Sequence, residues 1–453
     1  MQHFKPLKHR ILNAGAWIFG GHLSSQVIRL GSNLIMTRLL VPEMFGLMAI
    51  VNVLLVGLTL LTDLGLRQNI IQSKRAHEEI FLNTVWTFQV LRGFFIWIVS
   101  LLVAVGFYVG QFFNWLPNNT VYAEPLLPYI IPISTLATVI SAFEPTWTAI
   151  ANRNLQQSKL IKIEIFSQVV GVILMATLAY YYRSIWALVF GSLASSFTRA
   201  IIVNFIVKEK RNRFQIDKSA LSEIFNFGKW VFLSSIVGFL INNGDRLILG
   251  GLVTSKELGI YSIAAFIVGA VSTIISRMLG NVAYPALSEK VRQAPHDLNR
   301  VYYRFRIPFD IGTMFLAGFF LIAGQVIIDS LYDVRYQQAG WMLSLLSMSL
   351  IALRYNLTDQ CYMALGKPMV MTLLIVVRTI CMFVLVPIAF KLYGMHGAIW
   401  AMVLSYFSSF PLAIYYKKTH NLLDIKKELI TMPLFFVGLL FGYIFNKIIL
   451  TIS

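Results

Sequence analysis

His22, Gln26, Arg29 and Asn33 recur at spacings of four, three and four inside an otherwise apolar stretch. That spacing draws one stripe along an α-helix. Ser235, Phe239, Asn242 and Arg246 trace the equivalent stripe later in the chain, with Arg29 aligned on Asn242 and Asn33 on Arg246. The chemistry on offer is anion and hydroxyl recognition. A guanidinium gives planar, multi-donor binding to phosphate oxygens, which lysine matches less well. Amides hydrogen-bond hydroxyls. Arg29, Arg246, Arg277, Arg354 and Arg378 are the candidate anion ligands, and Gln26, Asn33, Asn242 and Asn243 the candidate hydroxyl ligands. Asp63, Glu144 and Asp359, toward the ends of apolar segments, are the carboxylates open to a role in proton or sodium coupling.

The elements that carry these residues are membrane helices. The chain has 453 residues, is 57% hydrophobic and only 13% charged, too few charges to cover a soluble globule of this size. Thirteen apolar stretches, each near the ~20 residues that cross a hydrocarbon core, run over 11–36, 44–66, 84–109, 125–150, 160–182, 184–206, 227–250, 258–284, 304–328, 339–363, 369–390, 393–416 and 429–451. The first has a basic lead, but polar residues break its core and no small-residue cleavage site follows, so it reads as a retained helix. Cys361 and Cys381 sit in apolar segments, without partners for a disulfide framework or a metal cluster.

The net charge of +18 raises the question of a nucleic-acid partner, which the distribution of charge answers. With the N-terminus inside, cytoplasmic segments hold 24 Lys and Arg and the outer loops five: Arg38, Arg183, Lys256, Arg335 and Lys391. This fits an N-in topology under the positive-inside bias, and the odd helix count then places the C-terminus outside. The clusters at 208–218 and 417–427 then face anionic headgroups of the inner leaflet, and no nucleic-acid partner is expected.

At a constant offset of 213, Asn13, Gly15, Trp17 and Phe19 fall on Asn226, Gly228, Trp230 and Phe232. The register continues without a gap through Leu34-Ile35 on Leu247-Ile248 and Gly46 on Gly259. Six helices separate the copies, which makes a parallel repeat. The expected organisation is an N-lobe of helices 1–6 (1–207), a cytoplasmic linker (208–218), a C-lobe of helices 7–12 (219–418) facing the first across a central site, and an accessory C-terminal helix (419–453).

Five arginines at helix centres would cost on the order of 12 to 18 kcal/mol if they faced lipid, at about 2.5 to 3.5 kcal/mol each. They must face protein or water. Two readings stay open for each: an ion pair with Asp63, Glu144, Asp245, Asp310 or Asp359, or a place in a cationic, water-filled cavity. Lys229, Arg199 and Lys447 lie near helix ends and can snorkel to the headgroups; Arg92 is open between the two readings. No phosphate-binding G-x-x-x-x-G-K-[ST] loop and no H-E-x-x-H occurs, so neither ATP hydrolysis nor zinc hydrolysis is expected, and no metal site or cofactor.

The segments RLLVPEMFGLMAI, LTDLGLRQNIIQ and NNGDRLILGGLVTSKELGIYSIAA resemble the two lobe signatures of Wzx-type polysaccharide and O-antigen flippases, within the multidrug/oligosaccharidyl-lipid/polysaccharide flippase superfamily. The resemblance covers about residues 1–420. It implies an all-α polytopic membrane protein of MATE-like fold, two pseudo-symmetric six-helix bundles plus one extra helix, with no enzyme activity. It further implies a bacterial inner-membrane flippase moving undecaprenyl-diphosphate-linked oligosaccharide for O-antigen, capsule or exopolysaccharide by alternating access. The partners it suggests are the lipid-linked oligosaccharide substrate, membrane lipids, a polysaccharide polymerase and chain-length proteins. The motif match identifies no binding residues; by the polar stripe and the burial cost, Arg29, Arg246, Arg277, Arg354 and Arg378 would hold the diphosphate and Gln26, Asn33, Asn242 and Asn243 the sugars. A lipid II flippase and a drug or metabolite exporter of the same fold are alternatives, though an exporter of cations would want acids in its cavity. A membrane glycosyltransferase or ligase is disfavoured by the short outer loops.

Overall fold

The computed structural model describes residues 7–154, 156–206, 212–293 and 298–452. Lys5, Lys208, Lys210 and Arg211 of the basic clusters lie outside them. The described structure is helical and contains no strand.

The first helices are α1 (Leu7–Leu39), α2 (Pro42–Leu60), α3 (Leu66–Gln72), α4 (Glu79–Phe112), α5 (Leu127–Ala142), α6 (Trp147–Arg153), α7 (Gln157–Tyr182) and α8 (Trp186–Ile206). Then follow α9 (Lys218–Gly250), α10 (Ser255–Met278), α11 (Tyr284–Gln293), α12 (Leu298–Leu331), α13 (Ala339–Ser347), α14 (Ser349–Ala352), α15 (Asn356–Ala364), α16 (Pro368–Phe407), α17 (Phe410–Thr419), α18 (Ile425–Leu429) and α19 (Pro433–Ile452). The repeat shows in helix lengths: α1 and α9 both have 33 residues, and α4 and α12 both have 34.

By length and composition, eight stretches among the described residues can cross a membrane, or nine if the α5–α6 pair, bent by 67°, is one broken span. The sequence led to an expectation of thirteen, more than this count. α1 and α9 carry the polar stripes, which dilute their hydropathy, and α13–α15 break a span into short pieces. α16 is two arms: Gly394, at φ 59° and ψ −146°, sits in backbone space that only glycine enters readily. Arg378 Nε donates to Ser409 Oγ at 2.6 Å across 31 residues, so the arms fold back on each other.

Two compact units divide the chain, Met1–Phe239 and Leu240–Ser453, with the division inside α9. Ala220 and Ile224, in the first turns of α9, pack in a core with Leu66, Ile70, Phe81 and Val85. Before them an extended strap, residues 212–217, is tied to the start of α4. Its Arg213, Gln215 and Asp217 backbone N–H groups donate to Asn83 Oδ1, Thr87 Oγ1 and Thr84 Oγ1 at 3.1, 3.0 and 3.0 Å. Donation from Ser219 Oγ and the Ala220 N–H holds the Asp217 carboxyl below its ordinary range.

In the second unit α19, read from sequence as an accessory, lies in intimate contact with α12. A Cβ on Gly318 would meet Phe435 O at 2.2 Å, and one on Gly438 would meet Phe315 O at 2.2 Å. Small residues let two apolar helices approach backbone to backbone, where packing substitutes for a hydrophobic drive that lipid cannot provide.

Candidate functional site

In the first unit the stripe residues lie on α1. Arg29 is exposed on the helix surface and meets no carboxylate among the described residues. Gln26 and His22, one turn apart and half-buried, approach through their Nε2 atoms at 3.5 Å. Asn33 is half-buried. Beside the stripe, Ser25 Oγ donates to Gln168 Oε1 at 2.8 Å, tying α1 to α7.

The second stripe divides differently. Asp245 accepts a 2.6 Å hydrogen bond from the Tyr261 hydroxyl of α10. Its neighbour Arg246 is half-buried and keeps its donors free of hydrogen bonds among the described residues. Asn242 is exposed and Asn243 half-buried. Arg277, exposed in the last turn of α10, precedes a single π-helical turn at Leu279–Ala283. Such bulges frequently accompany functional positions.

Each of the three candidate coupling acids has an arginine beside it. Asp63 lies 3.8 Å from Arg92 Nη1 and accepts the Gly65 N–H at 2.9 Å. Glu144 pairs with Arg199 at 2.9 Å, and Asp359 stands 4.0 Å from Arg378. Arg92 is thus held structurally: its Nε donates to Thr62 Oγ1 at 3.1 Å and its Nη2 to Thr59 O at 2.6 Å.

Arg354 stands apart from the other four candidate arginines. It is 4% exposed and its Nη2 donates to Asp310 Oδ2 at 2.7 Å and to Glu428 O at 3.0 Å. Asp310 also accepts from Arg306 Nε at 3.1 Å, one helical turn away, and Arg306 and Lys417 both bond Glu428. Three cations and two carboxylates therefore form one buried network, with Tyr302 donating or accepting beside Thr358 at 2.7 Å. Arg354 thus spends its Nη2 inside this network, while its Nε and Asp310 Oδ1 are buried without a hydrogen-bond partner. Sequence reasoning missed this network because Arg306 and Lys417, both 0% exposed, sit among loop cations in the sequence. The Arg306–Asp310 spacing of four was the available signal.

The fold is like that of known membrane transporters: the chain superposes on a lipid II flippase MurJ in an inward closed conformation with a TM-score of 0.69, over 95% of this chain and 92% of that one, at 13% identity. An inward-facing multidrug resistance MATE transporter follows, with a TM-score of 0.60 over 87% of this chain and 94% of that one, at 14% identity. Residues 35–339 match the model of the polysaccharide biosynthesis protein family, and the chain belongs to that family.

Three curated relatives agree with this. One is an uncharacterized membrane protein in the cps region of Klebsiella pneumoniae, 23% identical over 62% of this chain and 56% of the relative. The teichuronic acid biosynthesis protein TuaB of Bacillus subtilis is 22% identical over 58% of this chain and 53% of its own length. The lipopolysaccharide biosynthesis protein WzxC of Escherichia coli is 22% identical over 63% and 57%. The chain spans about half the length of these relatives.

Proposed function

We propose that the protein is a flippase of the bacterial inner membrane, N-terminus cytoplasmic, that translocates undecaprenyl-diphosphate-linked oligosaccharides for surface polysaccharide by alternating access. The observation that carries this is the sorting of the arginines. Arg29, Arg246, Arg277 and Arg378 lie in membrane helices without a tight carboxylate partner, in a chain of the polysaccharide biosynthesis family. Guanidiniums within a bilayer are expensive unless an anion or water meets them. A diphosphate supplies that anion, and the neighbouring amides of Gln26, Asn33, Asn242 and Asn243 suit the attached sugars. Arg354, bonded to Asp310, is assigned to the structural network instead. The polyprenyl tail stays in lipid, and the protein acts as a transporter, not an enzyme. A polysaccharide polymerase and chain-length proteins are the partners this reading carries. Proton or sodium coupling through Asp63 or Glu144 belongs to the same reading.

A lipid II flippase is the second reading, favoured by the likeness in fold to MurJ. The experiment is complementation: in a strain lacking the gene, Arg29→Ala and Arg246→Ala at normal protein levels are expected to abolish surface polysaccharide, with Lys substitutions intermediate. Normal polysaccharide in both alanine variants would overturn the diphosphate role. Rescue of a lipid II flippase deletion would favour the second reading.

A further inference from the structure

In the first unit α1 and α7 run side by side, and the seam between them changes along its length. Toward the start of both helices it is tight. The Lys162 ammonium stands 5.3 Å from the centroid of the Trp17 ring, and a Cβ on Gly21 would run into the Ile161 side chain. Ser25 Oγ then donates to Gln168 Oε1 at 2.8 Å. Partners that advance together in sequence make the pair parallel. Leu39 lies eighteen residues beyond Gly21, about five helical turns, and so returns to the face that meets α7. At that end the seam holds a groove of about 560 Å³.

Ile35 and Leu39 of α1 and Ala176 of α7 give the groove apolar walls. Arg38 gives it a cation, and no carboxylate lines it among the described residues. Tyr180 and Tyr181, 67% and 74% exposed, pack edge to face at 5.5 Å and bring two hydroxyls to the same groove. Thr177 is already spent, donating to Ile173 O at 2.9 Å. The lining therefore asks for an amphipathic anion. A free phosphate or a soluble sugar would leave the walls wet, whereas a lipid phosphate meets the guanidinium with its oxygens and the walls with its tail. Charge then selects the headgroup. An ethanolamine brings an ammonium for which the groove has no acid, and a glycerol headgroup brings none. Arg183, which caps α7 two residues after Tyr181, adds a second cation to the same helix end. Arg38 and Arg183 are two of only five basic residues that the charge distribution assigns to outer loops.

We infer that the open end of the α1–α7 seam binds an anionic glycerophospholipid of the phosphatidylglycerol kind, its phosphate held by Arg38 with the Tyr180 and Tyr181 hydroxyls and an acyl chain laid between Ile35, Leu39 and Ala176. The site is a resident-lipid site on the helix that also carries Arg29, and it stands whatever substrate the protein moves.

The test places the full chain in phosphatidylcholine nanodiscs doped with phosphatidylglycerol or phosphatidylethanolamine, each carrying a photoactivatable diazirine in one acyl chain, and maps the adducts by peptide mass spectrometry. Wild type is expected to carry phosphatidylglycerol adducts on residues 35–39 and 176–181, saturating with dose. They should exceed those of phosphatidylethanolamine roughly fivefold, about what one cation at a headgroup is worth. Arg38→Gln should bring the two lipids to within about twofold at these peptides, and Arg38→Lys, which keeps the charge, should retain most of the preference. Ala176→Trp fills the groove and should lower the adducts of both lipids there, while adducts on the exposed face of α4 at Phe95 and Leu102 stay constant and serve as the reference. Thermal unfolding of each variant guards against loss of fold, and the wild-type comparison of the two lipids decides alone if Arg38→Gln does not accumulate. Equal labelling by both lipids in wild type, or a preference that survives Arg38→Gln, would overturn the site and leave only unselected boundary lipid. Unlabelled undecaprenyl diphosphate that displaces the probe at a lower dose than unlabelled phosphatidylglycerol would overturn it too, by giving the groove to a carrier lipid.

Discussion

Removing Glu428 is the sharpest perturbation of the second unit. Its carboxylate bonds Arg306 and Lys417, which are themselves fully buried, and its backbone carbonyl accepts from Arg354. Wild type balances three cations against Asp310 and Glu428. Glu428→Ala leaves Asp310 alone to compensate three. Breaking a buried pair by deleting one partner costs about 3 to 5 kcal/mol, because the survivors stay buried without compensation. Each 1.4 kcal/mol is a factor of ten, so the unfolding equilibrium should move by between two and four orders of magnitude. Glu428→Gln keeps shape and one acceptor oxygen and should lose less. The assay is denaturant unfolding of purified protein in mixed micelles, followed by tryptophan fluorescence. The decisive arm adds Lys417→Met to Glu428→Ala: removing one uncompensated cation should recover part of the lost stability. If the double variant is no more stable than Glu428→Ala, charge balance is not what holds this network.

Other outcomes follow from the same geometry. Gly438→Val should push α19 off α12, costing about 1 to 3 kcal/mol in unfolding experiments, whereas Gly106→Ala, with nothing within 4 Å of the new Cβ, should be neutral or gain up to about 1 kcal/mol. Thr254→Ala removes a complete capping box with Glu257 at the start of α10 and should cost about 1 kcal/mol by the same measure. Asp217 is held below its ordinary value by Ser219 and Ala220, so its contribution is complete above the unfolded value of about 4 and is lost as pH falls through the lower folded value. Proteolysis of the strap at 212–217 should therefore rise in acid, using an acid-active protease, and Asp217→Asn should show the rise already at neutral pH.

Periodicity and duplication made the architecture legible. The polar stripe of α1 and its partner on α9 were readable because both copies keep one register through the following turn. Gly394 and the α5–α6 bend were harder, since hydropathy reports how apolar a stretch is but not where its axis turns. For the site, the sequence could place arginines at depth but could not sort them. Arg354 differs from Arg378 only by what lies across from it, and Asp310 and Glu428 reach Arg354 from 44 and 74 residues away. Lys417 illustrates the same limit: flanked by Lys418 and close to Lys426 and Lys427, it has the surroundings of a headgroup-facing loop, while the fold seals it against Tyr302 and Tyr303.

The central claim is that unpaired arginines carry a lipid-linked diphosphate across the membrane. Its most direct test is flipping of fluorescent undecaprenyl-diphosphate oligosaccharide in proteoliposomes, scored by protection from a membrane-impermeant quencher. Wild type should flip the lipid well above empty vesicles, with Arg29→Ala and Arg246→Ala each at least about tenfold slower, the loss of one charge-assisted contact. Wild-type flipping no faster than empty vesicles, or alanine variants at the wild-type rate, would contradict it.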